Sequence, residues 1–184
     1  KVYFTPGRNH IPYSPIIKTT YVDKQNNLWI KSQRSFIKMF FPPSPYTYRE
    51  LDNYFDTKSF LFDSDEHLWI ATKKGIIRIM DSQKNLLGYL SPDGELAQTE
   101  TVFAEGGIYV MLKDQAQTIW LGSKENGLFR LVPRNRPYHY EVYHYMNNPS
   151  DPYSISDNKI SCIDEDHNGR IWIGTYGGGL NLVE

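Results

Sequence analysis

Residues 164–169 read Asp164-Glu165-Asp166-His167-Asn168-Gly169. Oxygen-bearing side chains at the first, third and fifth places, followed by a glycine, open an EF-hand loop. Alternate residues there face one calcium ion, and the glycine lets the chain turn. Asp164, Asp166 and Asn168 are therefore candidate calcium ligands. The rest of that loop does not follow: the twelfth place, where a bidentate Glu closes the shell, is Thr175, and the ninth is Trp172. The run Gly174 to Gly179 has the look of a phosphate cradle, but it carries no Gly-Lys-Ser/Thr and leads into no helical pattern. The five histidines are His10, His67, His139, His144 and His167, with no HExxH and no Gly-x-Ser-x-Gly anywhere. His139 and His144 stand five apart in a segment of strand character, so they face opposite ways and share no metal within it. The sequence thus assigns no catalytic residue and no cofactor.

The tryptophans show what positions these residues. They stand at 29, 69, 120 and 172, and six residues before each is an aspartate: Asp23, Asp63, Asp114 and Asp166. Leu or Ile flanks every Trp on both sides. The copies read "VDKQNNLWIKSQRSFIKMF", "FDSDEHLWIATKKGIIRIM", "LKDQAQTIWLGSKENGLFRLV" and "DEDHNGRIWIGTYGGGLNLV". An apolar run ends at each Asp; a polar turn, a Trp-centred strand, a polar or Gly-rich tip and a third alternating strand follow. An outer strand is expected over Leu86–Leu90 and Tyr138–Tyr145. Three to four strands per repeat of this length describe the blades of a β-propeller, all-β, with about four blades across 1–184. Asp164 aligns with Tyr21, Leu61 and Leu112, and Asn168 with Gln25, Asp65 and Ala116, so the supposed co-ligands vary while the aspartate stays. That favours a local role for Asp166, accepting backbone N–H groups in a turn. The tryptophans read as packing between blades, and Gly174–Gly179 as a hairpin tip needing positive φ.

Twenty Lys and Arg against 21 Asp and Glu leave a net charge of −1, which disfavours direct nucleic-acid binding. Aromatic residues make up 15%, which suits strands and ligands that stack on rings. Cys162, the single cysteine, forms no internal disulfide. No run approaches the length of a membrane span. The chain opens on Lys1-Val2-Tyr3 without Met and reads as a fragment of a longer protein, with any export signal or anchor outside it.

The four copies resemble the two-component regulator propeller repeat, above all "NNPSDPYSISDNKISCIDEDHNGRIWIGTYGGGLNLVE" over 147–184. That repeat runs roughly S-L-S/N-x-V, then D-x-x-G-x-L-W-I-G-T, then G-G-L. The first copy departs from it, with Lys31-Ser32 for Gly-Thr and Ser35-Phe36 for Gly-Leu, as does the linker 42–59. The resemblance implies the periplasmic sensor region of a hybrid two-component system of Bacteroides type. Such a region responds to oligosaccharides and signals through a membrane span to a histidine kinase, both outside this chain. It implies no catalysis within this piece. Two other functions stand beside sensing: a scaffold for protein–protein contact or dimerisation, and a propeller lyase or hydrolase.

Blade tips and blade-to-blade linkers emerge on one propeller face. The tips carry Lys31, Arg34, Lys73, Lys74, Lys124 and Tyr176; the linkers carry Tyr13, Tyr46, Tyr48 and Tyr153. Cations with tyrosines suit an acidic saccharide. The last blade ends on its third strand, and Val2-Tyr3-Phe4 is an apolar strand without a blade. We expect that strand to complete a last blade, in a two-fold dimer that closes one ring in preference to four blades closing alone.

Overall fold

Alternating apolar residues between polar turns give each repeat one antiparallel meander. The computed structural model describes residues 17–24, 27–32, 36–39, 47–49 and 56–183, and among these no residue is helical. The chain divides into two units, Lys1–Asp56 and Thr57–Glu184. The first unit holds one sheet of β1 (Ile17–Val22), β2 (Leu28–Ser32), β3 (Phe36–Met39) and β4 (Thr47–Arg49), in that order. Its outer strand β4 lies in the linker whose sequence departs from the repeat, so the blade is four-stranded despite the weak signal.

The second unit holds three sheets. Blade 2 runs β5 (Thr57–Phe62), β6 (Leu68–Thr72), β7 (Ile77–Met80), β8 (Leu86–Leu90) and a short fifth strand β9 (Leu96–Ala97). Blade 3 runs β10 (Ile108–Lys113), β11 (Ile119–Ser123), β12 (Leu128–Pro133) and β13 (Tyr140–Tyr145). Blade 4 has three strands, β14 (Ile160–Glu165), β15 (Ile171–Thr175) and β16 (Gly179–Val183). The architecture is the all-β propeller read from the repeat. The outer strand of blade 3 begins at Tyr140, two residues later than expected, because Tyr138 takes a left-handed backbone conformation at φ 55°. His139 therefore precedes the strand, where it contacts Glu95. His144 lies within it, stacked on Phe129.

Period-two alternation decides which side chains pack between blades. The face of blade 2 that bears Leu61, Trp69, Ala71, Ile77 and Ile79 packs on Met111, Ile119, Leu121 and Leu131 of blade 3. The same contact repeats one blade on: Trp120 and Leu128, with Val110 and Leu112, meet Ile163, Ile171 and Ile173 of blade 4. Trp69 is completely buried, with Tyr140 edge-on at 5.7 Å between ring centres. In the second unit the residue two after the Trp is small, Ala71, Gly122 or Gly174, which lets the sheets approach. A Cβ on Gly122 would stand 2.5 Å from Val110 and 2.6 Å from Ile160. Nothing described covers the equivalent face of blade 4. Leu180 there is 65% exposed, whereas its counterparts Ile77 and Leu128 are buried. Trp172 is accordingly only partly buried, so it does not pack between blades here as Trp69 and Trp120 do.

One irregularity recurs in all four blades. The innermost strand slips register between Ile17 and Thr19, Thr57 and Ser59, Ile108 and Val110, and Ile160 and Cys162. Each slip is a bulge of one residue: Lys18, Lys58, Tyr109 and Ser161. All four stand eleven places before their Trp.

Candidate functional site

The aspartate of each repeat closes a turn and grips its tryptophan. One carboxylate oxygen accepts the backbone N–H four residues on, from Asn27, His67, Thr118 and Arg170 at 2.8–3.0 Å. The other accepts the indole N–H six residues on, from Trp29, Trp69, Trp120 and Trp172, also at 2.8–3.0 Å. The side-chain bond to the indole could be seen in the sequence only as a constant spacing. Gly169 takes φ 78° in this turn, and the same place is filled by Glu66 at 60° and Gln117 at 67°. The EF-hand likeness of 164–169 follows from this turn. Both oxygens of Asp166 are bound inward, its Oδ2 also to Arg170 Nε at 2.7 Å, and Asp164 Oδ1 accepts the N–H of Glu165. The hydrogen bonds from Trp172, and then from Arg170 and Asn168, hold the Asp166 carboxyl well below its ordinary value of 3.8. Asp23 is also lowered: burial pulls it up, and hydrogen bonds from Trp29 and Asn27 outweigh that.

A second cluster in the turn of blade 2 joins Asp63, Asp65 and His67, with ligand-type atoms within 4.8 Å of one another. Two of its three members are already engaged. Asp63 Oδ1 accepts the N–H groups of Asp65 and His67, Oδ2 accepts Trp69 Nε1, and His67 Nδ1 meets the hydroxyl of Tyr138. Burial, then the charges of Asp63 and Asp65, push the Tyr138 and Tyr140 phenols far above their usual range, so both remain protonated. This group ties the turn of blade 2 to the outer edge of blade 3.

The opposite end of the second unit offers the open chemistry. Tips and linkers lace together there. Gly75 O accepts the N–H of Phe103, Gly107 O that of Lys124, Asn158 O that of Gly127 and Lys159 O that of Tyr176. Lys73 and Lys74 are exposed on the blade 2 tip, and Lys124 on the blade 3 tip lies 3.6 Å from Glu125. Tyr176, on the blade 4 tip, carries Lys159 Nζ 3.5 Å from its ring centre. Tyr153 is 96% exposed in the linker. The bulged residues Lys58, Tyr109 and Ser161 begin the innermost strands at this same end, since those starts pair with Thr72, Ser123 and Thr175 beside the tips. Strand β5 packs beside β10, and β10 beside β14. Lys58 Nζ lies 5.3 Å from the centre of the Tyr109 ring. Neither residue stands out in the sequence, because a bulge leaves no mark in alternation alone.

Lys31 leaves the candidate set. It belongs to β2 rather than to a tip and is 3% exposed. Arg34, Tyr13 and Tyr46, like Val2–Phe4, lie outside the described residues, and Tyr48 falls in β4.

The two-component regulator propeller family matches residues 154–177. Histidine kinase P4 of Formosa agariphila is 26% identical over 139 residues, which cover 70% of this chain and 9% of that protein. Among solved structures, the extracellular domain of a hybrid two-component system from B. thetaiotaomicron superposes at a TM-score of 0.70 with 18% identity. The match covers 97% of this chain and 22% of that one. A virginiamycin B lyase from Staphylococcus aureus, with quinupristin, has the same fold at a TM-score of 0.61 and 8% identity, over 99% and 58% of the two chains. The resemblance read from the repeats is borne out. The chain spans less than a tenth of the curated relative and about a fifth of the sensor domain.

Proposed function

We propose that this chain is a piece of the extracytoplasmic, ligand-sensing propeller of a hybrid two-component histidine kinase, periplasmic in place, and that it answers to oligosaccharides. The observation that carries the reading is the regulator propeller repeat at 154–177, set in a propeller whose tip-and-linker end presents Lys73, Lys74, Lys124, Tyr153 and Tyr176. Cations pair with acidic groups on a sugar, and tyrosines cover its apolar faces. Catalysis belongs to the kinase of the parent protein, with the membrane reached only through parts outside this chain. Titration calorimetry of the chain against acidic and neutral oligosaccharides tests the reading: saturable binding to one class supports it. Release of product from any of them would replace it with a lyase or hydrolase, as in the propeller lyases.

A second reading, self-association, is favoured by one observation. The Trp172 face of blade 4 exposes Leu180, whose counterparts Ile77 and Leu128 are buried, and beside it Leu182. A dimer would cover that face. Light scattering at micromolar concentration tests it, and a compact monomer would end it.

A further inference from the structure

We propose that the bulged position of the innermost strands is the ligand-reading position of the propeller, and that Lys58 and Tyr109 together bind the carboxylate and the apolar face of an acidic sugar. The proposal rests on the sensing role given above and names the residues and ligand class within it.

The first argument is the contrast between constant geometry and varying chemistry. The bulge recurs at one place in all four blades, although each instance leaves a residue out of the ladder. Positions that build the scaffold keep their residue type from copy to copy, as the Asp, the Trp and its apolar neighbours do. The bulged position holds Lys18, Lys58, Tyr109 and Ser161. A backbone device repeated without a matching side chain serves to aim whatever side chain stands there, a recurrent use of bulges beside functional sites.

The second argument is the pair itself. Lys58 and Tyr109 come from innermost strands of neighbouring blades and meet at 5.3 Å. Both are partly exposed. Lys58 has no carboxylate partner among the described residues, so its charge is offset only by the ring. The backbone beside them is pinned, since Ser59 Oγ accepts the N–H of Met111 at 3.1 Å and ties the two strands together. An ammonium beside an aromatic face, on a braced backbone, fits a ligand that carries an anion next to an apolar sugar face. Hexuronic acids have that form, with the carboxylate on the ring that stacks.

The experiment titrates the chain with galacturonate and glucuronate oligomers, and with galactose and glucose oligomers of the same length. It uses the wild type, Lys58→Gln, Tyr109→Leu and Arg136→Gln, an exposed cation in the β12–β13 turn away from the tips, with melting temperatures as the folding control. Binding of a uronate oligomer is expected to weaken about tenfold in Lys58→Gln, the loss of one charge-assisted hydrogen bond, and comparably in Tyr109→Leu. Arg136→Gln should change it by less than about threefold, as screened exposed charges do. If a uronate binds Lys58→Gln and Tyr109→Leu as tightly as wild type, the inference fails while oligosaccharide sensing stands. If only neutral oligomers bind, the acidic class fails and sensing again stands. If no oligomer binds the folded chain, the inference and the sensing reading fail together. Should Tyr109→Leu unfold, Lys58→Gln and Lys58→Met, which keep most of the side-chain volume, decide the question through the charge: uronate binding unchanged in both overturns the inference.

Discussion

Replacing Trp69 by Ala should cost far more than the same change at Trp172, although the two occupy the same place in the repeat. Trp69 is completely buried, lies in the contact between blades 2 and 3, and donates its N–H to Asp63 at 3.0 Å. Truncating a buried Trp to Ala costs about 3–5 kcal/mol. The orphaned Asp63 oxygen adds to that, which favours the upper end. For a chain of this size, about 3–5 kcal/mol lowers the melting temperature by roughly 6–20 °C. It is also a large share of the roughly 5–15 kcal/mol that stabilises a domain. Trp172 keeps the same bond to Asp166, but nothing described covers its outer face, so its loss should cost about half as much. Urea unfolding followed by far-ultraviolet circular dichroism avoids the lost indole fluorescence. Unchanged slopes would show that stability, not the unfolded state, has moved. Equal losses for the two variants would refute the assignment of Trp burial to the blade that follows. So would a Trp69→Ala chain that melts with the wild type.

Gly122→Ala should destabilise by about 1–3 kcal/mol, because its new Cβ meets β-branched Val110 and Ile160. Gly174→Ala, whose close neighbours are the Cys162 and Ser161 side chains, should be milder, and thermal melts compare the two. Gln117→Gly should raise stability by up to about 1 kcal/mol, since a left-handed backbone at φ 67° strains Gln and suits Gly; a lowered melting temperature would contradict this. The depressed carboxyls of Asp166 and Asp23 contribute stability that is fully present above their ordinary value of 3.8 and is lost as pH falls through their lower folded values. Unfolding midpoints should therefore fall on acidification below about pH 4, less steeply in Asp166→Asn; identical acid limbs in the two proteins would exclude Asp166 as a source.

The sequence carried the fold because the repeat tests itself. One Asp-to-Trp spacing met four times fixes the turn, the strand and the register, and it also demotes the calcium motif, since Tyr21, Leu61 and Leu112 take the place of Asp164 in the other copies. The structure adds what spacing alone leaves out: the indole bond that makes the spacing obligatory. Sequence also placed the tips and linkers at one end, which the backbone bonds from Phe103, Lys124, Gly127 and Tyr176 bear out within the second unit. A lysine beside an apolar strand looks like the start of a tip, yet at Lys31 the strand runs on to Ser32. Lys58 and Tyr109 escape alternation for a deeper reason. Alternation describes a strand that keeps its register, and a bulge breaks the register without a composition of its own. It appears only when the partner strand is known. In a repeat protein the functional residues are sought where copies differ, but the copies must be compared at matched backbone geometry. Here that comparison finds one position where four bulges carry two lysines, a tyrosine and a serine on a common scaffold.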